Sequence, residues 1–171
     1  MGHPVLRARA RALEKSEIKA PTVQKLIDDM IDTMREYHGV GLAAPQVHEG
    51  LRLFVAAIDA ADEGEEEGED GREPIALINP EIVPLGDASV EDWEGCLSIP
   101  EIRGLVPRAR DIIVRAYNRK GDRIEIRAHD FPARVIQHET DHLDGVLFLD
   151  RMESLGSLTF LEEYSRYWMK D

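Results

Sequence analysis

Asp130-Phe131-Pro132-Ala133-Arg134-Val135-Ile136-Gln137-His138-Glu139-Thr140-Asp141-His142-Leu143-Asp144-Gly145 reads as one helix, and the rest of the chain is arranged around it. Asp130 can cap its start. Pro132 falls in the first turn, where a missing N–H is harmless. The helix runs to about Asp144, and Gly145 can end it. Val135, Ile136 and Leu143 place it at least half inside the protein. His138 and His142 are four residues apart, so they lie on one face, one turn from each other. Two imidazoles at that spacing can share a metal ion, and Glu139 beside them can reach a water held there. The bland alternative is a chance pair on a solvated helix. The apolar neighbours argue against it, because buried His and Glu need partners.

Working outward, Asp111 to Tyr117 and Arg123 to Ala128 flank a turn at Asn118 to Asp122. Ile124 and Ile126 alternate with charged residues, as in a half-exposed hairpin. Ile75 to Val83 reads as another strand, its hydrogen bonding confined by Pro80 and Pro84. Leu51 to Ile58 reads as a buried strand. Before it comes a glycine-containing loop, Gly39-Val40-Gly41-Leu42-Ala43-Ala44-Pro45-Gln46. Thr22 to Tyr37 carries Val23, Leu26, Ile27, Met30, Ile31, Met34 and Tyr37 on one helical stripe. Pro21 and Thr22 suit its start and Gly39 its end. A last helix, about Ser157 to Met169, carries Leu158, Leu161, Tyr164 and Trp168, a stripe expected to pack into the core.

The chain has 171 residues, the length of about one domain. With 43% apolar and 32% charged residues it has a globular profile, which excludes pervasive disorder and collagen-like repetition. A single cysteine, Cys96, cannot form an internal disulfide, which fits a reducing compartment. Net charge is 21 − 34 = −13, so phosphates repel the chain and non-specific nucleic-acid binding is disfavoured. Asp59 to Glu73 alone holds nine acidic residues and one arginine, and is expected to be a solvated acidic loop, mobile at its tip. No apolar run approaches the ~20 residues of a membrane-spanning helix. Met1 to Ala12 has basic residues but no apolar core after them, so it does not read as a secretory signal. The expectation is a soluble, cytoplasmic protein.

A catalytic metal site needs a third protein ligand and one open position. No histidine follows His142. Asp144, Asp150, Glu153, Glu162 and Glu163 lie downstream, and Cys96 lies upstream in Trp93-Glu94-Gly95-Cys96-Leu97-Ser98. Taken alone, one cysteine is more often a small buried hydrophobe. Glu94 and Gln137 are candidates for orienting ligands, and Trp93 for packing. His3, His38, His48 and His129 have no partner at ligand spacing and read as surface residues.

Three stretches together are specific: Gly39 to Gln46, Glu94 to Ser98, and Gln137 to His142. Their sequence, order and rough spacing resemble the three signatures of the peptide deformylase family, and the resemblance runs from Pro4 to about Phe148. It implies an α+β fold: antiparallel β-sheets around a central helix carrying the His-Glu-x-x-His motif, with an N-terminal and a C-terminal helix, in one catalytic domain over residues 1–171. It implies that Cys96, His138 and His142 bind a divalent metal, ferrous iron in the cell, with zinc, nickel or cobalt able to use the same ligands. Glu139 is then the general acid/base, and Gln46 and the backbone N–H of Leu97 bind the formyl oxygen. Val40, Gly41 and Gly95 fall where the substrate backbone would run. Arg103 matches a substrate-contacting arginine, and Phe131 and Val135 fall where a methionine slot would lie, with core packing an equal rival.

The implied substrate is the N-formylmethionyl end of nascent polypeptides. That makes ribosome proximity part of the expectation, although the C-terminal helix shows no readable docking signal. No nucleic-acid specificity and no membrane partner are expected. A metallopeptidase cutting internal bonds would want another His or carboxylate ligand and a cleft open at both ends. A structural metal module would have a closed site.

Overall fold

Val23, Ile27, Met30 and Met34 recur at helical spacing, and all four are buried along one side of the helix they dictate. The computed structural model describes residues 1–58 and 73–169. Short helical turns at Pro4–Arg7 and α1 (Lys15–Ile18) lead into α2 (Pro21–Glu36). Strand β1 (Gly41–Ala43) and a 3-10 turn at Ala44–Val47 follow, then β2 (Leu53–Ala56), β3 (Ile75–Pro84), β4 (Ser89–Cys96), β5 (Ile99–Ala109), β6 (Asp111–Tyr117) and β7 (Arg123–His129). The chain continues through α3 (Asp130–Leu143), α4 (Phe148–Arg151), a 3-10 turn at Leu155–Ser157, β8 (Thr159–Phe160) and α5 (Leu161–Tyr167). Asp59 to Glu73, all but its last residue, lies outside the described residues.

The strands form two antiparallel sheets, β1-β2-β3-β6-β7 and β4-β5-β8. In β2 every residue is buried. Its alternation explains this. Leu53 and Val55 join the cluster under α2, while Phe54 and Ala56 join the cluster under α3. The sheet therefore separates two helices, and α3 is central, with Ala133, Ile136 and Leu143 fully buried against the sheet. A third cluster, Ile99, Val106, Leu147 and Phe148, ties β5 to α4. The expected α+β architecture is present. The β6–β7 hairpin matches its expected range, with Ile126 and Ala128 turned inward and Arg123, Glu125 and Arg127 outward.

Several local expectations are corrected. The helix before Gly39 ends at Glu36, and His38 takes the left-handed conformation (φ 53°). The loop expected at Gly39 to Gln46 is part strand, because Gly41, Leu42 and Ala43 pair with Ala56, Val55 and Phe54. Asp130 is not the cap of α3. His129 holds that position, and the Asp130 carboxylate accepts instead from Arg110 Nε at 3.2 Å and meets His129 Nδ1 at 3.0 Å. The continuous C-terminal helix is broken into a 3-10 turn, a two-residue strand and α5, which contributes no buried residue. Its aromatic stripe leans on Trp93 instead of entering the core: the Trp93 ring lies 5.1 Å from Tyr164 and 5.7 Å from Trp168, which is 56% exposed. Residues 89–109 form a long hairpin that apolar alternation does not announce. Of the inward positions Gly104, Val106 and Arg108, only Val106 carries an apolar side chain.

Candidate active site

Two elements meet at the site. Helix α3 presents His138 and His142 on one face, and β4 ends on Cys96, where Leu97 and Ser98 turn the chain into β5. The Cys96 sulfur and one nitrogen of each imidazole lie within 4.8 Å of one another, and Sγ is 3.2 Å from His142 Nε2. His138 Nδ1 is 2.8 Å from Glu94 Oε2, which leaves Nε2 for the thiol side. Burial and the charges of His138 and Arg108 push His142 down to about 3, so its imidazole is neutral at neutral pH, the form that can bind a metal. Burial also lowers His138, but the hydrogen bonds with Cys96 and Glu94 prevail and raise it to about 10. A thiolate with two imidazoles is a donor set for a soft or borderline divalent cation, and these residues fit one such ion. Of the alternatives left open by sequence, Cys96 is the one brought to the histidines. Asp144 pairs with Arg52 at 2.7 Å and Asp150 with Arg7.

Glu139 stands beside this cluster, 4% exposed, with Oε2 lacking any hydrogen-bond partner among the described residues. Burial pushes its carboxyl up to about 7, against the pull of the His138 charge. A carboxyl poised there can both take and give a proton near neutrality. Across from it, Gln46 is oriented by the Ala43 N–H, which donates to Oε1 at 2.8 Å. That fixes the amide so that Nε2 faces Ser98 Oγ (3.2 Å) and Cys96 Sγ (3.6 Å).

Eleven of the twelve residues singled out from sequence line one cleft of about 740 Å³: Val40, Gly41, Gln46, Gly95, Cys96, Leu97, Arg103, Phe131, Val135, His138 and Glu139. His142 lies beneath it, 1% exposed. Val40, Leu97 and Phe131 are exposed apolar side chains there. The Arg103 guanidinium lies across Gly95. A second cleft, about 780 Å³, holds Arg9, Arg52, Arg115 and Arg123, shares none of these residues and includes none of the Cys96–His138–His142 cluster.

Sequence reasoning did not find the buried ionic layer behind the histidines. Arg108 grips Glu94 through Nε–Oε1 at 2.9 Å and Nη2–Oε2 at 3.0 Å, and also donates to Asp141. Arg134 reaches the same Glu94, and Arg151 Nη2 donates to Asp141 Oδ1 at 2.7 Å. The available signal was Arg134, one helical turn before His138 on the same face. Glu94 does orient a candidate ligand, as expected. Gln137 does not touch the cluster. It bonds Ala109 N–H and C=O at 3.1 and 2.8 Å and clamps α3 to β5. His3, His38, His48 and His129 are exposed, and His3 stacks on His48 at 4.1 Å.

A cleft floored by a thiol and two imidazoles, with a buried carboxyl beside them and mixed helices and antiparallel sheets around them, defines the class: a hydrolase with a candidate metal centre. The family model described as polypeptide deformylase matches residues 1–157. The chain belongs to that family, which processes protein amino termini. It is 46% identical over 171 residues to peptide deformylase 2 of Nostoc sp., covering all of this chain and 93% of that one. It resembles the crystal structure of peptide deformylase from Thermotoga maritima with TM-score 0.77 and 41% identity, over 90% of this chain and 95% of that one. It also resembles a Met-Ala-Ser-bound class I type b peptide deformylase from Acinetobacter baumannii, with TM-score 0.78 and 34% identity, over 89% and 94% of the two chains. No helix among the described residues is long and apolar enough to cross a membrane.

Proposed function

We propose that this enzyme hydrolyses the formyl group from the N-formylmethionyl end of newly made polypeptides, releasing formate and a free amino terminus. One observation carries the reading. Cys96 Sγ converges with the imidazoles of His138 and His142, beside the Oε2 of buried Glu139, unpartnered among the described residues, at the floor of one cleft. The neighbour bound to Met-Ala-Ser, a peptide beginning in methionine, supports the substrate class. Cys96, His138 and His142 would hold one divalent cation, ferrous iron in the cell by family resemblance, with zinc, nickel or cobalt on the same ligands. Bound there, a divalent cation supplies Lewis acidity, polarising the carbonyl and bringing the pKa of water from about 16 towards 7.

The chain's own groups do the rest. Glu139 takes the proton of the attacking water and returns it to the leaving amine. Gln46 Nε2 and the Leu97 N–H donate to the formyl oxygen as it gains charge, and one such donor is worth about 3–4 kcal/mol. Val40 precedes and Gly41 opens β1, an edge of the five-stranded sheet, where a substrate backbone can add as a further strand. Phe131 and Val135 line the slot for the methionine side chain, and Gly95 and Arg103 flank the path beyond it. Formyl carries hydrogen where acetyl carries methyl, so a tight floor favours it. Residues 1–171 act as one catalytic domain, in the cytoplasm and close to the ribosome.

The test is formate release from formyl-Met peptides, paired with elemental analysis. Formate and free amino termini should appear in equal amounts, with internal peptide bonds intact. Glu139→Gln should keep its metal and lose about 10²- to 10⁴-fold in turnover. A metal-loaded protein releasing no formate, or a Glu139→Gln variant of near-normal rate, overturns the reading.

A further inference from the structure

The thiol and the imidazoles come from elements that share no backbone ladder. Cys96 rides on the β4–β5 hairpin, and His138 and His142 ride on α3. Their meeting therefore depends on what fixes the hairpin against the helix. Arg134 lies one turn before His138, and its side chain is 7% exposed. Its Nη1 donates to Glu94 Oε1 at 2.8 Å and to the Val106 carbonyl at 2.8 Å, and its Nη2 donates to the Val90 carbonyl at 2.6 Å. One guanidinium on the helix thus grips both strands of the hairpin. It also holds the first oxygen of the carboxylate whose second oxygen meets His138 Nδ1 at 2.8 Å. Glu94 stands two residues before Cys96, so the same grip acts on the strand that delivers the thiol.

We propose that Arg134 is a positioning residue for the metal centre: it sets the spacing between the β4–β5 hairpin and α3 on which joint ligation by Cys96, His138 and His142 depends. The inference rests on the reading of those three residues as ligands. Arg108 does not substitute for it. Arg108 and Gln137 also tie β5 to α3, through Asp141 and Ala109, but neither carries a bond from the helix to the backbone of β4, the strand that delivers Cys96. Lysine does not substitute either, because a single ammonium cannot span Glu94, Val90 and Val106 as a planar fork does.

The experiment uses cobalt as the probe metal, loaded without air into wild type, Arg134→Lys and Arg134→Met. Three quantities are read: the rate of cobalt loss to a chelator, the thiolate-to-cobalt charge-transfer absorption, and thermal unfolding of the metal-free proteins. Val23→Ala, buried on α2 in the cluster on the opposite face of the sheet from α3, serves as a control that lowers stability alone. Arg134→Lys should lose cobalt at least tenfold faster than wild type, with a shifted or weakened charge-transfer band. Arg134→Met should lose it faster still. Val23→Ala should keep the wild-type rate and band despite a lower melting temperature. If Arg134→Met has no cooperative unfolding transition, Arg134→Lys decides. A wild-type rate and band in Arg134→Lys overturns the inference. A wild type that binds no cobalt, or binds it without a thiolate band, overturns the ligand reading itself and is distinguishable from that result.

Discussion

Gly41 passes so close to Glu139 that a Cβ there would lie 2.8 Å from the glutamate Cγ and Cδ, and closer still to Oε1. Gly41 has an ordinary negative φ, so alanine fits the backbone and the cost falls on the carboxylate. Gly41→Ala should therefore fold, keep its metal and displace the group that moves the proton. The expected result is at least a tenfold fall in kcat with unchanged metal content, read by steady-state kinetics and elemental analysis; a wild-type kcat would show that the carboxylate has room to spare. The same scale explains how much of the site is legible in residue types. His138, Glu139 and His142 announce themselves by spacing. Ser98, which accepts from Gln46, carries no comparable signal, because one hydroxyl in a two-residue turn is ordinary turn chemistry.

Helix α3 is the element on which the site depends, and its C-terminal end is anchored as firmly as its start. Gly145 adopts φ 74°, and a Cβ there would meet the Arg7 carbonyl oxygen at 2.6 Å. Nearby, Ala10 N–H donates to the Leu143 carbonyl at 2.9 Å, so the N-terminal segment packs on the helix end. Gly145→Ala combines a left-handed conformation with a backbone clash and should destabilise the protein by about 1–3 kcal/mol. Urea unfolding at neutral pH measures this, and an unchanged midpoint would mean that the N-terminal segment yields freely. Helix α2 and the β6–β7 hairpin were readable because their apolar periods are intact. Strands β4 and β5 were not. Gly104 and Arg108 occupy inward positions for reasons of contact and charge, which erases the period-two pattern. The C-terminal stripe differs for the opposite reason: its period is helical, but its aromatic partner is the half-buried Trp93, not the core.

At the scale of the molecule, a buried ionic layer joins the β4–β5 hairpin and α3 to the candidate metal centre. Burial pushes the Glu94 carboxyl up, but hydrogen bonds from His138 and Arg108 prevail and hold it below its ordinary value of 4.5. A carboxyl held low in the folded state contributes stability in full above that ordinary value, and the contribution is lost as pH falls through and below it. Stability should therefore drop between about pH 5 and pH 2. Glu94→Gln should be weaker by about 3–5 kcal/mol at pH 7, because two guanidiniums lose their buried counter-charge. It should also lose less on acidification than wild type, which urea unfolding across that range would reveal; an equal loss would place the acid sensitivity elsewhere. By itself the sequence determined the α+β class, the helix bearing two histidines one turn apart, and the three motifs that mark the family, because each is written in local spacing or in contiguous residues. Spacing and composition left the third partner of those histidines open and the motifs pointed to Cys96; the tertiary structure is what brings Cys96 to them. It alone decided that Arg108, Arg134 and Asp141 sit behind them. Contacts across 28 to 46 residues arise when a hairpin and a helix pack, and no local period encodes which side chains that packing brings together.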